Sequence, residues 1–93
     1  MKYVLLGSLG AEWATRHGDR VERSKAKLAE LGIKLESVYY TQGDVDFVDV
    51  VDAPSPEAML AFSVWYASQG YGRFRSLPAF DDAAMRAALK KKT

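Results

Sequence analysis

Tyr39-Tyr40-Thr41-Gln42-Gly43-Asp44-Val45-Asp46-Phe47-Val48-Asp49-Val50-Val51-Asp52-Ala53-Pro54 reads as two β-strands around a turn. Alternation over residues 33–41 puts Ile33, Leu35, Ser37, Tyr39 and Thr41 on one face and Lys34, Glu36, Val38 and Tyr40 on the other. Gln42-Gly43-Asp44 supplies the turn, with Gly43 the residue able to take a positive φ in a short hairpin loop. From Val45 to Asp52, Val45, Phe47, Asp49 and Val51 share one face, Asp46, Val48, Val50 and Asp52 share the other, and Pro54 ends the strand.

Working outward, residues 2–8 are apolar on both faces, as expected of a strand covered on both sides. Leu9 to Gly18 reads as a loop with a helical turn near Trp13. Asp19 and Glu22 have capping-box spacing, so a helix is expected from Asp19, with Val21, Leu28 and Leu31 inward, Arg20, Arg23 and Lys27 outward, and Gly32 as its stop. Beyond the hairpin, Ser55 as N-cap and Pro56 at the first helical position predict a second helix to about Gln69. Its apolar arc is wide: Met59, Phe62 and Tyr66 on one stripe, Leu60, Val64 and Ala67 on the next. Gly70 closes it, residues 71–80 form a fourth strand, and Asp81 caps a last helix with Met85, Ala88 and Leu89 expected inward.

The resulting order, βαββαβ plus a C-terminal helix, is the ferredoxin-like α+β arrangement, a four-stranded antiparallel sheet with helices on one face. The 93 residues make a single domain, 1–93. Strands apolar on both faces would leave a large exposed patch on a monomer, so a homodimer is expected.

Composition removes several function classes. No cysteine means no thiol chemistry and no Cys-based zinc site, and it fits a cytoplasmic protein. The one histidine and scattered carboxylates have no metal-ligand spacing, so neither a metal nor another cofactor is expected. The four or five apolar residues at the N-terminus are too few for a membrane span or a signal segment. A net charge of +1 gives no general pull to nucleic acid or membrane, and the run Lys90-Lys91-Lys92 reads as a solvated helix end. Tyr3 to Leu9 is similar to the first-strand motif of RNA-recognition domains, but Asp46, Asp49 and Asp52 on the third strand would repel phosphate.

The segments Tyr39–Phe47, Asp52-Ala53-Pro54 and Leu77-Pro78-Ala79-Phe80-Asp81 resemble the GYD domain family, and the likeness extends over nearly the whole chain. The family's Gly-x-Tyr-Asp turn corresponds here to Gly43, Asp44, Val45 and Asp46, with valine in place of the usual tyrosine. Pro78 stands where arginine is common, and the loop from Leu9 to Gly18 is shorter than usual. The resemblance implies a dimeric α+β barrel, two sheets face to face around a cavity. The wider barrel group holds cofactor-independent monooxygenases, haem-degrading enzymes, isomerases and ligand-sensing modules, so the fold does not select an activity.

The candidate site residues follow from the strand faces. Asp49 lies between apolar neighbours on the Phe47 face, where a carboxylate needs a cationic partner or a raised pKa; Arg73 and Arg75 are the expected partners. Tyr39, Phe47, Trp65, Tyr66 and Phe74 either line an aromatic pocket or pack as core. His17, expected in an exposed loop, is the one imidazole available as a base, and Asp46 is a turn carboxylate suited to backbone hydrogen bonds. Three readings follow: a homodimer binding a small apolar or aromatic molecule between the sheets; a cofactor-independent oxygenase or isomerase using Asp49 or His17 as base; and a structural assembly module without a ligand.

Overall fold

The computed structural model describes residues 1–91; Lys92 of the terminal lysine run lies outside them. Its elements are β1 (Lys2–Leu9), α1 (His17–Glu30), β2 (Lys34–Tyr40), β3 (Phe47–Asp52), α2 (Pro56–Ser68), β4 (Gly72–Pro78) and α3 (Asp82–Lys91). The four strands form one antiparallel sheet in the order β2-β3-β1-β4, the ferredoxin-like topology expected from the element order.

One face of the sheet carries the core. Tyr3 and Leu5 on β1, Phe47 and Val51 on β3, Leu28 on α1, and Met59, Phe62 and Tyr66 on α2 are all buried. Val51 and Leu5 are the most enclosed, at 0% and 1% exposure, and burying side chains of this size contributes about 1.5–3 kcal/mol each. Gly7 is where β1 needs a glycine, because a Cβ there would fall inside the Phe47 ring. The other face has Val4, Leu6, Val48, Val50 and Leu77 partly or fully exposed, with no helix over it.

Several local expectations hold. Ser55 accepts a hydrogen bond from the Ala58 amide at 3.1 Å, with Pro56 in the first turn of α2. Asp81 accepts from the Ala84 amide at 2.8 Å. Gly32 and Gly70 take φ of 72° and 73° at the ends of α1 and α2, the left-handed conformation that stops a helix.

Others are corrected. α1 starts at His17, two residues before the expected capping box, and its N-cap Arg16 makes no side-chain cap bond. Asp19 instead accepts from the Tyr71 hydroxyl at 3.0 Å, a tertiary bond that replaces the local one. Arg20, expected in water, is 4% exposed. The hairpin connection is not a tight turn either: β3 starts at Phe47 rather than Val45, leaving 41–46 as a loop. β1 holds that loop, since the Asp46 amide donates to the Gly7 carbonyl at 2.7 Å and the Asp46 carboxylate accepts from the Leu9 amide at 2.8 Å. Gly43 in the loop has φ of 131°. Finally, α3 buries no residue, and Met85 and Leu89 are 56% and 55% exposed instead of inward.

Candidate functional site

The sheet register decides what can meet Asp49. Across antiparallel strands, residues directly opposite share a face, and Asp49 pairs with Leu5 of β1 on one side and Val38 of β2 on the other. Its carboxyl therefore rises between two apolar side chains toward the helices. Phe47, Asp49 and Val51 face the molecule's own helical layer and not the open face of the sheet.

A β-bulge sets the β2 contribution. Leu35 opposes Val51 and Ser37 opposes Val50, leaving Glu36 as the extra residue. Past the bulge the faces exchange, so Val38 and Tyr40 join Asp49 and Phe47, while Tyr39 opposes Val48 on the open face and is 68% exposed. Tyr40 takes the place expected for Tyr39.

The arginines are also separated from Asp49. Arg73 opposes Ser8 and Arg75 opposes Leu6, which puts both guanidiniums on the open face; Phe74, between them, opposes Gly7 on the core face. Neither is the cation partner of Asp49. No cation offsets the desolvation of this carboxyl, and burial alone pushes its pKa from 3.8 up to about 7.

Asp49 lines a cavity of about 70 Å³ between the sheet and the helices. Phe47, Phe62, Tyr66 and Phe74 form its aromatic wall, and Arg20, Ser24 and Leu28 of α1 form the facing wall. Tyr66 is the hub of the aromatic group, its ring centroid 6.0 Å from Phe47 and 5.6 Å from Phe74. Burial, with the nearby Asp49 charge adding to it and Arg20 opposing it, raises the Tyr66 phenol to about 12, so it stays protonated and able to donate. Trp65 stacks on Phe62 at 5.8 Å and is not part of the cavity wall.

Two buried polar atoms in this wall lack a hydrogen-bond partner among the described residues: Asp49 Oδ1 and Ser24 Oγ. An unsatisfied buried polar atom costs on the order of 1–3 kcal/mol. Both belong to residues lining one cavity, so one occupant with a polar group can serve either atom. Arg20 supplies a buried cation whose guanidinium donates to the Trp13 carbonyl at 3.2 Å and meets His17 Nδ1 at 2.8 Å. His17, the first residue of α1, is exposed, lies edge-on to Tyr40 at 5.4 Å, and is outside the cavity wall. Among the described residues no group of three or more acidic or histidine side chains is placed to hold a metal.

Sequence reasoning singled out Asp49, Phe47, Phe74 and Tyr66 but missed Arg20, Ser24 and Tyr40. Ser24 had a signal: with Val21, Leu28 and Leu31 it falls on the helix's inward stripe, where a lone hydroxyl needs a reason. Arg20 lies four residues before Ser24 on the same stripe.

No curated protein and no solved structure matched the chain significantly. A scan against protein-family models matched the GYD domain over residues 3–89, a span that includes the whole sheet but Lys2, both packed helices and all the cavity residues named above. With the match running from the first strand into the last helix, the chain belongs to the GYD domain family.

Proposed function

We propose that the protein binds a small organic molecule in the Asp49 cavity, an apolar body with one hydroxyl or amide that engages Asp49 and Ser24. The observation that carries this reading is the coincidence of both unpartnered polar atoms on the wall of one aromatic cavity. A volume of about 70 Å³ limits the enclosed part to a few heavy atoms. Val38 and Tyr40, 39% and 53% exposed, are the cavity residues nearest solvent on the sheet, and a longer ligand would leave between them. Small phenols and short alcohols fit this description better than a haem-sized molecule.

A thermal-shift panel of such compounds tests it. A ligand present at a hundredfold its Kd stabilises the fold by about 2.7 kcal/mol. The expected result is a rise in Tm for at least one phenol or alcohol, lost in Ser24→Ala and in Asp49→Leu. A panel without a single shift contradicts the reading.

A second reading, proton-transfer catalysis in the same cavity, is favoured by the Asp49 pKa of about 7, since an acid or base works best when its pKa lies near the working pH. Asp49 would move the proton, with the Tyr66 phenol and Arg20 stabilising charge that develops on the substrate. Asp49→Asn then abolishes turnover while binding persists, and unchanged turnover removes Asp49 from the chemistry. Self-association belongs to the same proposal: a second copy covers the apolar end of the open sheet face, around Val4, Val50 and Leu77.

A further inference from the structure

The open face of the sheet changes character along β1. Around Val4 it is apolar, with Val50 and Leu77 alongside; around Leu6 and Ser8 it is basic, with Arg75 and Arg73 as the β4 neighbours. The two arginines are alternate residues of one strand, so their side chains leave the same face about 7 Å apart at the backbone. Both are exposed, and neither makes a side-chain hydrogen bond or ion pair among the described residues.

These guanidiniums border a cleft of about 750 Å³, within the range of roughly 300–1,000 Å³ typical of small-molecule sites and far larger than the Asp49 cavity. Leu6, Val45, Val64 and Phe74 give it an apolar wall that runs around the β4 edge to α2. Ser8 and Ser63 add hydroxyls, and Asp44 of the 41–46 loop is the one acid in the wall. The cleft therefore holds two formal positive charges against one negative.

We propose that this cleft is a second binding site, for an organic anion whose carboxylate or phosphate is held by Arg73 and Arg75 and whose apolar part lies against Leu6, Val64 and Phe74. A guanidinium presents planar, paired N–H donors that match either oxyanion, and two of them beside an apolar wall select for a charged head on a hydrophobic body over a fully hydrated ion. The site is separate from the Asp49 cavity: Asp49 lies on the opposite face of the sheet, and only Phe74 lines both spaces.

The test uses the full chain, isotope-labelled for amide NMR, titrated with hexanoate, hexyl phosphate and hexan-1-ol. Saturable shifts at Leu6, Ser8, Arg73 and Arg75 are expected with one or both anions, and the relative affinities tell carboxylate from phosphate. Hexan-1-ol is expected to bind at least tenfold more weakly at these residues, and Arg73→Gln/Arg75→Gln to weaken anion binding at least tenfold. Equal binding of hexan-1-ol, unchanged anion affinity in the double variant, no saturable shifts, or shifts confined to Val38, Phe47 and Asp49 would each overturn the proposal. The hexanoate and hexan-1-ol comparison is made on the unsubstituted protein, so it stands whether or not the double variant folds.

Discussion

Asp49 is a carboxyl whose ionisation the fold disfavours. Its pKa is raised by burial from 3.8 to about 7, so the folded protein holds a proton that the unfolded chain releases. The sign follows: the contribution of this one group to stability is fullest below about pH 4 and is lost as the pH climbs through about 7. Allowing for a carboxyl that is only part buried, the loss is on the order of 2 kcal/mol. Urea denaturation of Asp49→Asn across this range should show a flatter pH profile than the unsubstituted protein and greater stability than it at pH 8; identical profiles would remove Asp49 as the cause. A second residue with a clear expectation is Gly7, where any Cβ meets the Phe47 ring. Gly7→Ala should cost about 2–3 kcal/mol in the same assay by forcing the ring from its place. Tyr71→Phe removes only the bond to Asp19 and should cost about 1 kcal/mol.

At the scale of elements, the order of strands and helices was legible because each has its own local signal: short apolar, valine- and leucine-rich runs in β1 and β3, the Ser55-Pro56 start of α2, and the glycines after both packed helices. The bulge in β2 was not. One inserted residue near Glu36 exchanges the faces of Val38 and Tyr39; the only mark of the slip is the polar pair Glu36-Ser37 between Leu35 and Val38, which strict alternation over residues 33–41 passes over. The facing of Arg73 and Arg75 was legible in principle, since residues alternating with an inward Phe74 must face outward. Arg20 was unreadable from charge alone; its burial depends on the Trp13 carbonyl and His17, brought together by the turn before α1. α3 looked like a packed helix because its apolar residues are correctly spaced, but spacing does not say whether a surface is there to receive them. Deleting residues 80–93 should therefore leave the Tm of the remaining domain within about 5 °C, the equivalent of roughly 1 kcal/mol at this size. A larger loss would mean that α3 packs where its exposed Met85 and Leu89 indicate it does not.

The whole molecule is longer than its residue count suggests, with extents of 53 × 31 × 18 Å and a radius of gyration of 14.7 Å, against roughly 12 Å for a compact chain of this length. Several large apolar side chains are left exposed: Leu60 and Val64 on α2, Leu77 and Tyr39 on the open sheet face, and Phe80 before α3. Those on the open sheet face lie where a second copy is proposed to pack. Light scattering over a range of concentrations should give a dimer mass, and Val50→Glu should shift it toward monomer; a constant monomer mass would refute the assembly. The sheet and two helices close around one carboxyl, whose burial raises its pKa to about 7. Carbon-13 NMR titration of the Asp49 side chain in the folded protein measures this directly: a midpoint near pH 7 is predicted, and a midpoint near the ordinary 3.8 would contradict it.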